Sequence, residues 1–160
     1  MKPSSFHFIV IYLTQALDDL SQKQRWNLRS ITETPTMASY QGHCNCSSIK
    51  VILSKKPENV VVCHCANCKR AGGPFSMNFF VEDGQWEVED NQKTLTEYLD
   101  LDTDSGNTVH RFFCRKCGSP VKTTAKPFPG QAIIKASLFD DIPTDRSDIF
   151  KHKALQWDMH

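Results

Sequence analysis

Beyond residue 48 the chain is written in short runs of the strand-forming kind, separated by turn residues. The runs predict strands at 49–53, 60–63, 77–81, 86–88, 95–99, 109–113, 120–124 and 133–136. Their spacing is fairly regular, and helical periodicity is nearly absent apart from one turn over 66–70. The fold class that follows is mainly β, with small antiparallel sheets stacked on one another.

Residues 1–36 are patterned differently: an apolar run over 6–13, a polar segment over 21–30, then a Thr- and Pro-rich stretch over 32–36. Ile11, Leu13, Leu17 and Leu20 have the spacing of one amphipathic helix. This segment reads as a dispensable N-terminal extension, poorly ordered or partly helical, ahead of a domain over 37–160 that opens at Met37. Its apolar run makes a poor secretory signal: His7 interrupts it, Lys2 is the lone basic residue before it, and Asp18 and Asp19 follow soon after. It is also far short of the roughly 20 apolar residues that cross a bilayer. A cytoplasmic protein without a membrane anchor is expected.

A chain of 160 residues with 39% hydrophobic content can bury one core, so a single globular domain is the default. Charge is balanced at 19 basic against 18 acidic residues, and at 15 against 15 within residues 37–160. No basic field is present to hold nucleic acid or an anionic membrane, which leaves a small, locally recognised ligand.

The cysteines carry the chemistry. All seven fall into three clusters: Cys44 and Cys46; Cys63, Cys65 and Cys68; Cys114 and Cys117. An odd number at C-x-C and C-x-x-C spacings does not suit disulfides but does suit thiolates that share an ion. A structural zinc takes four such ligands and a catalytic zinc three, with one position open, and seven divides into four plus three. Cys44 and Cys46 point to one face of an extended segment, while Cys114 and Cys117 form a knuckle with Gly118 directly after it. Joining these pairs would tie distant segments into a structural site. Cys63, Cys65 and Cys68 would then hold a second, catalytic zinc. Lys69 and Arg70 follow at once, placed to offset negative charge and attract carboxylates, and Gly72-Gly73-Pro74 allows close approach of a ligand.

Plainer readings stand beside these. The middle cluster could be a second structural zinc completed by His64, His110 or His43, although His64 lies between two ligands and is expected on the opposite, solvent-exposed face. Lys69 and Arg70 could form a solvated turn. Trp86, Phe79, Phe80, Phe112, Phe113 and Trp157 read as packing residues, and the acidic stretch 100–104, which lacks the later Glu of a calcium loop, as a solvated hairpin loop.

Three ordered motifs then become specific: Gly42-His43-Cys44-Asn45-Cys46; Val62-Cys63-His64-Cys65-Ala66-Asn67-Cys68-Lys69-Arg70 with Gly72; and Phe113-Cys114-Arg115-Lys116-Cys117-Gly118-Ser119-Pro120. Over about residues 40–157 their order resembles the glutathione-dependent formaldehyde-activating enzyme family, whose domain is shared with centromere protein V. The resemblance implies a mostly β fold, two zinc ions and carbon–sulfur lyase chemistry. It assigns Cys44, Cys46, Cys114 and Cys117 to the structural zinc and Cys63, Cys65 and Cys68 to the catalytic one. The family's namesake reaction joins glutathione and formaldehyde reversibly into S-hydroxymethylglutathione, so the expected partner is a small-molecule thiol or thiol adduct. Lys69 and Arg70 are then the nearest candidates to grip the carboxylates of glutathione. The alternative function is a non-enzymatic, zinc-stabilised protein-binding module of the kind suggested by centromere protein V.

Overall fold

The computed structural model describes residues 39–158. The extension and the helix expected within residues 1–36 lie outside the described residues. The strands are β1 (Tyr40–His43), β2 (Lys50–Leu53), β3 (Val60–Cys63), β4 (Ser76–Glu82), β5 (Trp86–Glu89), β6 (Leu95–Asp100), β7 (Val109–Cys114), β8 (Pro120–Ala125), β9 (Gln131–Lys135) and β10 (Arg146–Ile149). One short helix, α1 (Ala66–Gly72), follows β3.

The strands gather into a three-stranded sheet in the order β1-β2-β5 and a seven-stranded sheet in the order β10-β3-β4-β9-β8-β7-β6. Pairing is antiparallel throughout except at β10, which runs parallel to β3. The fold is thus mainly β with antiparallel sheets, as the runs of strand-formers predict, and each of those eight runs is a strand. Two strands have no counterpart among them. β1 is Tyr-Gln-Gly-His and β10 is Arg-Ser-Asp-Ile, and neither carries a branched apolar run; both are edge strands, β1 held by the next strand across a short turn and β10 by β3, far back in the chain.

Side-chain alternation gives the large sheet two different faces. On one, Phe79 and Val81 of β4 stand opposite Ile134 and Ala132 of β9 and pack with Val51 and Leu53 of β2, so the core lies between the sheets. Tyr40 of β1 stacks on Phe139, ring centroids 4.4 Å apart, and meets the edge of Phe79. Trp86 packs against the same core from β5, with Lys122 Nζ 4.4 Å above its ring. Burying Phe79, 1% exposed, contributes about 1.5–3 kcal/mol.

The opposite face presents the intervening residues. The register sets Cys63 opposite Ser76, Asn78 opposite Lys135, Phe80 opposite Ile133, Thr123 opposite Ile133 and Arg111 opposite Thr123. A polar and apolar wall therefore extends sideways from a cysteine at the end of β3.

Candidate metal centres

The first cluster brings Cys44 and Cys46, from the turn joining β1 to β2, against Cys114 and Cys117, from the end of β7 and the turn after it. The four Sγ atoms all lie within 4.8 Å of one another. Cys46 Sγ is 3.6 Å from Cys44 Sγ and 3.7 Å from Cys114 Sγ. Four sulfurs at the usual zinc–sulfur length have edges of about 3.8 Å, so the set fits a tetrahedral ion, and every cysteine is free of disulfides. Each turn fixes its cysteines through its backbone. Ser47 takes the left-handed conformation (φ 56°) while its amide donates to the Cys44 carbonyl, three residues back, at 2.8 Å, and the amide of left-handed Gly118 (φ 77°) donates to the Cys114 carbonyl, four residues back, at 2.8 Å. Ser119 Oγ accepts from the Asn45 amide at 3.1 Å, which links the two turns.

Hydroxyl groups hold the sulfurs in turn. Ser48 Oγ lies 2.9 Å from Cys46 Sγ and 3.5 Å from Cys114 Sγ, and Thr94 Oγ1 donates to it at 3.1 Å. Burial works against a Cys114 thiolate, yet the Ser48 hydroxyl and the amides of Cys117 and Lys116 outweigh it and bring the thiol down to about 5.

The second cluster lies at the junction of β3 and α1. Cys63 and Cys65 are buried, Cys68 is half-buried, and their three Sγ atoms lie within 4.8 Å of one another. Cys65 is also the N-cap of α1, its sulfur accepting from the Cys68 amide at 3.4 Å. Sharing of protons among the sulfurs favours a thiolate at Cys65, pulled down by Cys63 and then Cys68, and pushes Cys63 up. Among the described residues, no imidazole or carboxylate joins the three sulfurs.

The candidate histidines are engaged elsewhere. His110 pairs with Glu97, and His43 Nδ1 lies 3.0 Å from the Cys44 carbonyl. His64 is not solvent-exposed as expected but 1% exposed. Its Nε2 lies 2.7 Å from Asp148 Oδ1, a bond that holds the Asp148 carboxyl below the usual range. Its Nδ1 is 3.2 Å from Asp158 Oδ2, but the two are out of line for a hydrogen bond. His64 thus turns away from the cysteines because β10 and the chain beyond it place two carboxylates behind β3.

Cys63, Cys65 and Cys68 open onto a cavity of about 270 Å³ whose far wall is the outer face of the large sheet. Two residues of this cavity, Lys135 and Phe150, were not singled out from the sequence, and two features, Phe80 and the 100–104 stretch, differ from what it predicts. Lys135 of β9 is 4% exposed, and its Nζ donates to Ser76 Oγ at 3.0 Å and Asn78 Oδ1 at 2.7 Å. Burial pushes the pKa of this ammonium down, against the opposing pull of the cysteine sulfurs. Phe80 lines the cavity instead of serving as packing. The 100–104 stretch does join two strands, but it is docked rather than merely solvated. Asp104 Oδ2 accepts from the Ala66 amide at 2.7 Å, Asn67 Nδ2 donates to the Asp102 carbonyl at 2.7 Å, and Asp100 Oδ2 accepts from Arg111 Nε at 2.7 Å. Finally, Phe150, left-handed at φ 54°, lines the cavity from the segment after β10.

Lys69 and Arg70 sit in α1, but neither lines this cavity. Lys69 Nζ donates to the Lys153 carbonyl at 2.8 Å, and Arg70 lines a separate groove with Tyr98, Phe113 and Pro120. Trp157, read as a packing residue, is 65% exposed. Among the described residues, no helix is long and apolar enough to cross a membrane.

The family model described as glutathione-dependent formaldehyde-activating enzyme matches residues 39–157. Among solved structures, the crystal structure of a Rhodobacter sphaeroides protein is similar, with 18% identity and a TM-score of 0.50 over 67% of this chain and 99% of that one. At that identity the likeness concerns the fold alone. No curated protein matches the chain.

Proposed function

The chain belongs to the glutathione-dependent formaldehyde-activating enzyme family, and from that premise we propose that it is a zinc-dependent carbon–sulfur lyase acting on a thiol adduct at Cys63, Cys65 and Cys68. The observation that carries the reading is a three-sulfur donor set, joined by no fourth donor among the described residues, at the edge of a cavity large enough for a small organic molecule. Zinc bound there supplies Lewis acidity, which favours the thiolate form of a substrate sulfur and polarises an aldehyde oxygen.

In the forward direction the thiol S–H bond breaks, a sulfur–carbon bond forms to the aldehyde carbon, and the proton finishes on the former carbonyl oxygen. The reverse direction returns that proton to sulfur and releases the aldehyde. The chain's part is to hold and orient. Cys63, Cys65 and Cys68 fix the reacting end, with α1 and the docked 101–108 loop holding Cys65 and Cys68 in place. Lys135 balances the negative charge of three thiolates on a divalent ion, and Phe80 and Ile133 keep water from the wall. Cys44, Cys46, Cys114 and Cys117 hold a second zinc with a structural role. Seven free thiols support a reducing setting, the cytoplasm.

Exchange between free and adduct carbon in a mixture of thiol and formaldehyde tests the proposal, followed by magnetisation transfer at equilibrium. The zinc-loaded protein is expected to speed interconversion above the unaided rate, and Cys68→Ser, still folded, to leave it at that rate. A wild-type protein that holds two zinc ions yet accelerates no thiol would instead fit a zinc-stabilised binding module.

A further inference from the structure

The cavity beside the three cysteines is apolar to a degree that glutathione does not require. Its wall includes Phe80, Val109, Phe128, Ile133, Ile149 and Phe150. Phe128 sets its ring edge-on to Phe80, centroids 5.1 Å apart, yet remains 39% exposed, as does Ile149. Phe150 adopts a left-handed conformation that is costly for a side chain with a Cβ, and such strain persists where the surroundings impose it, often at ligand clamps.

Charge gives a second, independent observation. Glutathione brings two carboxylates, and burying them needs cations whose charge is not already balanced by anions of the protein. Among the described residues, only Arg111 and Lys135 supply cations to the wall. Arg111 Nε is bound to buried Asp100 at 2.7 Å, and Lys135 Nζ is bound to Ser76 and Asn78. Two further cations are engaged: Lys153 Nζ lies 2.9 Å from Asp104 Oδ1, and Lys69 Nζ is on the Lys153 carbonyl. Asp104 itself lines the cavity and would repel a carboxylate.

Resting on the thiol chemistry proposed above, we infer that the preferred substrate is an adduct of a thiol with an aromatic or branched aliphatic substituent, its sulfur at the cysteines and its apolar group between Phe80, Phe128 and Phe150. A tripeptide dicarboxylate is the poorer ligand.

The zinc-loaded full chain is titrated calorimetrically with benzyl mercaptan, glutathione and a series of straight-chain alkanethiols. Benzyl mercaptan is expected to bind at least about tenfold more tightly than glutathione, and affinity to rise about fourfold per added methylene until the cavity is filled. Phe128→Ala, on an exposed loop, should reduce the preference for benzyl mercaptan over glutathione by about tenfold. Glutathione binding as tightly as benzyl mercaptan, or an affinity indifferent to alkyl length, would overturn this inference and leave the lyase reading standing. Failure of every thiol to bind the wild-type protein would overturn both.

Discussion

Lys135 is the residue whose surroundings say most about the candidate site. A buried ammonium is costly unless its donors are met, and here Ser76 and Asn78 take two of three. The remaining compensation comes from Cys68, Cys63 and Cys65, whose negative charge favours the protonated lysine. Lys135→Met keeps much of the volume and removes the charge. It should lower zinc affinity at the three-cysteine site by about 10–100-fold while leaving the four-cysteine site unchanged, as read by competition with a chromophoric chelator. Equal loss at both sites, or at neither, would sink this role. Nothing in the sequence marks Lys135, because its meaning depends on a register that sets it opposite Asn78, two residues along β4 from the partner of Cys63. Phe80 is hidden for the same reason: Phe79 and Phe80 are chemically equal neighbours, and only the pleat sends one into the core and the other into the cavity.

Elements show the same division between local and distant causes. β3, three valines and a cysteine, and the other strands with branched or aromatic runs declare themselves, whereas β1 depends on the turn that folds it onto β2 and β10 on pairing with β3, remote in the chain. β1 owes its close fit to Gly42, where an added Cβ would stand 2.7 Å from the Leu138 carbonyl oxygen and 2.8 Å from Phe139 Cγ. Backbone on one side cannot yield cheaply, so Gly42→Ala should cost about 1–3 kcal/mol in urea unfolding; an unchanged midpoint would mean that β1 is free to shift. The β6–β7 loop makes a different prediction. Lys153 first, and then the Ala66 amide, hold the Asp104 carboxyl below the usual carboxylate range. A depressed folded-state pKa contributes stability that is fully present above the unfolded value near ~4 and is lost as pH falls through the lower folded value. Asp104→Asn should therefore be less stable than wild type by a constant margin from neutrality down to about pH 4, and the margin should close below that. A margin that widens in acid would contradict the docking described for this loop.

At the scale of the whole molecule, the cysteines were legible because metal ligation writes its spacing into the chain, and the 4.8 Å clusters group them as four and three, as that spacing divides them. What the spacing cannot carry is the cavity, whose walls come from β4, β7, β8, β9 and the segment after β10. The two clusters occupy different mechanical positions. Cys44 and Cys46 leave the small sheet and Cys114 ends a strand of the large one, so an ion among them would staple both sheets across the core, where Cys44 and Cys114 are 0% exposed. Cys63, Cys65 and Cys68 fall within one strand–helix junction and cross-link little. A structural zinc contributes on the order of 10–16 kcal/mol, comparable to the whole stability of about 5–15 kcal/mol of an ordinary domain. Cys114→Ser should therefore abolish cooperative unfolding, whereas Cys65→Ser should keep a folded protein with about one zinc fewer and without thiol exchange. Circular dichroism and metal content of the purified variants separate these outcomes. If both variants unfold alike, the three-cysteine centre is also a structural staple, and the chemistry assigned to it has no independent support.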